Sequence, residues 1–290
     1  MSTERRTRYG LGNIEIGETG KKVGFYIAIS LLVLISFFPI IWMFITSLKP
    51  PTEAVRFPVT YIPETITLQN YRTALEQRPF GRYLFNSFVV ASGTAIIDVF
   101  LGALAGYALS RLRFRFKLPV LLIILFSAML PFISRLIPLF RLARELMLLN
   151  DYLGLILPYA AFQLPFAVWI MQAYFKELPD SIEEAGLMDG LTRLGVLFRI
   201  ILPISAPAMA TAAIIVFIYA WNEFLFALTF MTEEQMKTIT VGIALYGGQY
   251  SFPWGTISAA VVMSVIPLLL FMLIFQRKVV EGLTAGFGKA

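Results

Sequence analysis

From Val23 to Leu48 the chain runs 26 residues without a charged side chain. That exceeds the roughly 20 residues a helix needs to cross about 30 Å of hydrocarbon. Inside a bilayer every backbone N–H and C=O has to be paired within the segment, which a helix achieves. The run is longer than a secretory leader's apolar core and carries no small-residue cleavage site. It therefore reads as an uncleaved first span, with Arg5, Arg6, Arg8, Lys21 and Lys22 on the cytoplasmic side. Pro39 is expected to bend it.

Five further apolar runs, 86–110, 118–134, 152–175, 205–222 and 254–275, predict an all-α polytopic membrane protein with six transmembrane helices. The composition agrees: 58% hydrophobic residues and a mean hydropathy of +0.76 over 290 residues exceed what a soluble domain tolerates. The chain divides into a cytoplasmic N-terminal segment 1–22, a transmembrane domain with spans at about 23–48 and the five runs above (23–275), and a cytoplasmic tail 276–290. Within the domain, 176–204 forms a cytoplasmic loop. Pro158 and Pro165 are expected to interrupt the fourth span. Leu139, Leu142, Ala143, Leu146 and Leu149, opposite Arg141, Arg144 and Glu145, predict an amphipathic helix on the outer surface.

This phasing puts 15 Lys and Arg inside and 9 outside, the sign the positive-inside rule requires. Arg111 to Lys117, alternating bases and rings, reads as a cytoplasmic anchor. The formal charge of +6 therefore orients helices, and no basic face with interleaved aromatics points to nucleic acid. The chain has no Cys and no His, which excludes thiol chemistry, disulfides and the common zinc motifs. With no Lys inside a span either, a nucleophile–base pair lacks its parts, so catalytic and metal-ligating residues are expected to be none. No GxxxxGK[ST] sequence is present, so ATP has to be bound elsewhere.

The loop between the fourth and fifth spans carries the densest signal. Asp180 and Glu183 have capping-box spacing, Gly190 can end a helix in the left-handed region, and Ile182, Leu187, Leu191 and Leu194 fall near helical spacing. On pattern alone this is equally an amphipathic helix lying on the membrane. Three other places carry polar chemistry. Asp98 lies at the centre of the second span, where a carboxylate needs protein or water. It is either a proton or substrate contact, or a helix–helix hydrogen bond or protonated acid fixing packing; no base lies at similar depth in this chain, and a partner chain could supply one. Gly102 and Gly106 beside it form a GxxxG surface. Asn222 and Glu223 are either the polar cap of an interfacial aromatic anchor or a polar lining near an outer gate. Tyr246, Gly247, Gly248, Gln249 and Tyr250 form a Gly/Tyr loop suited to contact with a sugar or protein.

The loop resembles the cytoplasmic signature of binding-protein-dependent ABC importers: Glu-Ala-Ala, three residues, Gly, nine residues, Ile-x-Leu-Pro. Here it reads Glu184-Ala185-Gly186, three residues, Gly190, nine residues, Ile200-Ile201-Leu202-Pro203, with Gly186 where the family has Ala. Gly costs about 1 kcal/mol of helix stability relative to Ala, so a looser helix is expected. The stretches 105–112, 153–159, 221–224 and 282–286 are similar to the shorter six-span permease of maltose-type carbohydrate importers. That resemblance implies a heterodimer with a second related permease. It also implies two ATP-binding subunits that hold ATP and Mg²⁺, an extracytoplasmic solute-binding protein, and a bacterial or archaeal plasma membrane with both termini inside. Glu184, Ala185, Gly186, Asp189 and Gly190 would then dock in the ATPases. Residues 246–250 would touch the binding protein, and the tail around Gly282 would reach the ATPases. The Gly286-Phe287-Gly288 ending departs from the family. A disaccharide or glycoside is the expected substrate; glycerol phosphates, amino acids, or ion-coupled transport through Asp98 are the alternatives.

Overall fold

The computed structural model describes residues 11–248 and 252–285, with side chains for 20–248 and 252–274. No strand occurs among them. The chain opens on α1 (Leu11–Ser47), a helix that passes through Pro39 unbroken. Two short helices, α2 (Pro51–Ala54) and α3 (Gln69–Gln77), follow and lead into α4 (Phe80–Arg111). Next come α5 (Lys117–Ala128), α6 (Leu136–Glu145) and α7 (Tyr152–Glu177). The signature loop holds α8 (Asp180–Met188), α9 (Arg193–Val196), a π-turn at Leu197–Ile201 and α10 (Leu202–Ile204). The chain ends through α11 (Ala206–Asn222), α12 (Leu225–Phe230), α13 (Ile239–Ala244) and α14 (Trp254–Ala285).

Four of these helices are long and apolar enough to cross a bilayer, and up to six if each of two bent pairs is one span. The expected spans 118–134 and 205–222 fall on these two bent pairs. α5 stops at Ala128, and the segment Ile133–Glu145 leaves it at 90°. Its 12 residues reach only about 18 Å, short of the hydrocarbon thickness. Arg193–Ile204 and α11 meet at 78°. Pro158 and Pro165, by contrast, do not interrupt α7, which is continuous over 26 residues. On α6 the inward face is Leu136, Leu139, Phe140 and Ala143, while Leu142 and Leu146 are exposed, a rotation from the expected stripe.

The core forms where α4 packs along α7, with α11 laid against α4 and α14. Small residues make the α4–α7 approach close. A Cβ on Gly102 would lie 2.9 Å from that of Ala167, and one on Gly106 2.8 Å from that of Met171. The GxxxG surface is thus used inside the chain. α1 contacts α14 but buries none of its most apolar window, so its side chains need hydrocarbon or another apolar surface around them.

The end of the bundle where α4 begins is closed by a polar network. Glu234 accepts from Arg78 Nη1 at 2.9 Å and from Tyr83 and Lys237. Together these bonds, that of Lys237 foremost, lower its carboxyl to about 2. Asn86 Nδ2 donates to the carbonyls of Gln235 (2.8 Å) and Lys237 (2.9 Å), and Asn70 to those of Ser47 and Lys49.

Candidate functional site

The signature loop is a braced projection. α8 starts after Pro179, and neither Asp180 nor Glu183 caps it, contrary to the expected capping box. Both acids are drawn to the end of α4 instead. The Arg111 guanidinium, only 5% exposed, pairs with Asp180 and lies 3.9 Å from Glu183. It also donates to the carbonyls of Phe175, at 2.8 Å, and Leu178. Those carbonyls belong to the frayed end of α7, where helical acceptors lack partners. Glu183, buried, accepts from the Tyr107 hydroxyl at 2.9 Å and from Arg193 at 3.5 Å. One arginine therefore fixes α4, α7 and α8 to each other, and a charge-assisted bond of this kind is among the stronger polar contacts available.

The far end of α8 closes as expected. Gly190 has φ +84, Gly190 N–H donates to Leu187 O at 3.1 Å, and Leu191 N–H to Gly186 O at 3.1 Å. This pattern satisfies two orphan carbonyls through a left-handed residue that glycine adopts at little cost. Thr192 then caps α9 by accepting from Gly195 N–H at 3.1 Å.

Gly186 also makes room for a contact. A Cβ there would lie 2.7 Å from Ile200 Cδ1 and 2.9 Å from Val196 Cγ2. The missing methyl lets α8 sit against the π-turn. Ile182 and Leu191 complete that seat around Phe175, Val196, Leu197 and Ile201. Of the expected apolar face, only these two point inward; Leu187 and Leu194 are exposed.

The structure therefore sorts the five signature residues. Glu184, Ala185, Asp189 and Gly190 are exposed at one tip, and Gly186 is buried beneath them. Met188, 88% exposed, adds an apolar side chain to the tip. A cleft of ≈ 940 Å³ separates α8 from the basic loop, with Arg113 and Lys117 on one wall and Glu184 and Arg193 on the other.

The other expected sites resolve differently. Asp98 is fully buried within this chain, and neither oxygen has a hydrogen-bond partner among the described residues. Glu223 is buried and accepts from Tyr159 and from the N–H groups of Phe226 (2.9 Å) and Ala227 (3.1 Å). It holds the start of α12 to α7. Asn222 is exposed and lines a groove with Glu223.

Tyr246 does not present a stackable ring: it is 7% exposed, and its hydroxyl donates to Ala74 O. Arg78 lies 5.8 Å from its ring centroid, so the ring packs into the polar layer at the start of α4. Gly247 packs near Phe252 and Gly248 is exposed, while Gln249 and Tyr250 lie outside the described residues, as do 286–290 of the tail. Sequence reasoning missed the brace formed by Tyr107, Arg111 and Glu183. The signal was present, since Tyr107 and Arg111 both fall in the 105–112 stretch, but which acids they meet depends on the fold.

Residues 98–284 match the family model described as binding-protein-dependent transport system inner membrane component. The chain is 41% identical over 268 residues to the sulfoquinovosyl glycerol transport system permease protein SmoH of Agrobacterium fabrum, covering 92% of this chain and 94% of that one. It is 40% identical over 272 residues to the trehalose/maltose transport system permease protein MalG of Thermococcus litoralis, covering 93% and 97%. Among solved structures, a chain of a bacterial ABC transporter involved in import of the acidic polysaccharide alginate superposes with a TM-score of 0.76. It is 24% identical, with 93% of this chain and 99% of that chain covered, a likeness of fold.

Proposed function

The chain belongs to the family of binding-protein-dependent transport system inner membrane components, and on that premise we propose that it is a sugar-translocating permease subunit of an ATP-driven ABC importer. Its relatives' names, a glycoside permease and a disaccharide permease, support a disaccharide or glycoside as substrate. The reading places the chain in a bacterial or archaeal plasma membrane with both termini cytoplasmic. It pairs there with a second related permease, above two ATP-binding subunits that hold ATP and Mg²⁺. An extracytoplasmic solute-binding protein loads the pore. The chain itself carries out no chemistry on the sugar.

The single observation behind this reading is the braced tip. Glu184, Asp189 and Met188 stand exposed on a helix whose base is tied by Arg111 and Tyr107 to two long helices. A lever has to be gripped at one end and rigid at the other. When nucleotide closes the ATPase pair around the tip, the brace passes that displacement to α4 and α7 together. The pore then alternates between two states, each favoured by a different ligand: nucleotide below, loaded binding protein above.

The deciding test is uptake into vesicles holding the assembled importer. Uptake should require ATP on the cytoplasmic side and persist with a protonophore present. Uptake abolished by the protonophore at constant ATP would instead support ion-coupled transport through Asp98.

A further inference from the structure

Residues 112–116 join the end of α4 to the start of α5. Lys117 closes this turn by donating to Ser110 O at 3.0 Å, a carbonyl in the last turn of α4. Bases and rings alternate between the two helices. Arg113 and Arg115 are exposed, and neither makes a hydrogen bond or an ion pair among the described residues. The nearby acids of α8 do not claim them. Asp180 pairs with Arg111, Glu183 lies against Arg111 and Arg193, and Glu184 stands exposed across the cleft.

The rings of the turn belong to a larger apolar surface. Phe114 and Phe116 are 40% and 64% exposed. Along α5 the surface continues through Leu118, Leu122 and Phe126, each one turn after the last and 63%, 55% and 63% exposed. No residue of α5 is buried. A stripe of this kind needs an apolar medium against it. With hydrocarbon there, Arg113 and Arg115 stand just beyond its edge, at the level of the headgroups, where a long basic side chain reaches phosphate while its stem stays in the apolar layer. On the permease reading this end faces the cytoplasm, whose leaflet carries negative surface charge.

We propose that residues 112–116 bind the headgroups of anionic phospholipids, and that this contact seats the pivot of the α8 lever. Arg111, which ties α4 to α7 and α8, directly precedes the turn. A turn held at the bilayer surface fixes the end of α4 against the push that α8 receives. A turn free to lift lets part of that push go into moving the turn. The lever, and the side of the membrane, rest on the permease reading above; the lipid contact rests on the unpaired arginines and the exposed rings.

The test uses the complete importer, its other subunits made free of cysteine, in vesicles of equal parts phosphatidylcholine and phosphatidylglycerol. This chain has no Cys, so Phe116→Cys carries a single fluorophore. Brominated phosphatidylglycerol should quench it more than brominated phosphatidylcholine does. Arg113→Gln together with Arg115→Gln should cut that preference by about five-fold per arginine, and added salt should weaken it. Lys at both positions should keep it. Both arginines are exposed and unpaired, so the changes leave folding intact. Equal quenching by the two lipids, or a preference unchanged in the Gln variant, would overturn the lipid contact. Quenching by neither would overturn it as well, and would mean that protein covers the turn. Uptake per ATP hydrolysed, measured with Phe116 in place, should be higher in the mixed vesicles than in phosphatidylcholine alone, and the Gln variant should lose that difference. A ratio independent of phosphatidylglycerol in the unaltered importer would overturn the pivot role. Uptake that needs no ATP would overturn the permease reading while leaving the quenching result as it stands.

Discussion

The hydroxyl of Tyr107 donates to Oε1 of Glu183 across 2.9 Å, joining the last turns of α4 to the first turn of α8, 76 residues further along the chain. Arg111, one turn beyond Tyr107, closes the same joint from the other side. The bond matters because Glu183 is buried and acidic. Removing either neighbour strands a charge in place of a satisfied pair.

Tyr107→Phe should cost about 1 to 3 kcal/mol of thermal stability, the penalty for an acceptor left one donor short. Glu183→Ala should cost about 1 to 3 kcal/mol as well, since the buried Tyr107 hydroxyl then loses its acceptor while Arg111 keeps Asp180. Thermal unfolding of the purified importer, set beside uptake per ATP hydrolysed, distinguishes a stiff brace from simple packing. Loss of stability with unchanged uptake per ATP would argue against the brace as a transmission element.

Gly190→Pro should leave membrane insertion intact yet uncouple ATPase activity from uptake. Proline cannot adopt φ +84 and has no N–H for Leu187 O, so the tip is re-aimed. Glu184→Lys should uncouple as well, without a folding penalty, because Glu184 is exposed. Unchanged uptake by both variants in vesicles would remove the docking role of the tip.

Gly186→Ala should be close to neutral, within about 1 kcal/mol. The gain in helix propensity is offset by moving Ile200 Cδ1 and Val196 Cγ2, both side-chain ends. Gly186→Leu should be destabilising by about 1 to 3 kcal/mol, because the extra volume has to displace the π-turn. Denaturation midpoints of the two variants check the order.

Asp98→Asn should maintain or raise stability, since it removes a carboxylate that is fully buried and has no partner among the described residues. A marked loss of stability in that variant would mean that the acid makes a contact in another state of the cycle.

Acid should loosen the polar network at the start of α4 at a definite place. The Glu234 carboxyl is lowered from 4.5 to about 2, first by Lys237 and then by Tyr83 and Arg78. Its contribution is therefore full above about 4.5 and disappears as pH falls towards about 2. Hydrogen exchange in 231–246 should rise over that window, and Lys237→Met should move the onset to higher pH. Exchange that is flat across the window would contradict this assignment.

Much of this protein was legible in one dimension. Runs such as Val23–Leu48 fixed a helical membrane chain, because hydrocarbon leaves a backbone no partner except itself. Gly190 announced the end of α8, because few residues other than glycine adopt a left-handed φ at little cost. What the sequence could not decide were the joints between distant segments. Whether Asp180 and Glu183 cap their own helix or reach for Arg111 depends on where the end of α4 arrives. The same holds for Gly186, whose missing methyl has meaning only once Ile200 stands against it, and for Tyr246, polar in sequence yet buried by Ala74 and Arg78. Periodicity and backbone conformation are local energies. Burial and ion pairing belong to the packed whole, and only tertiary structure assigns them.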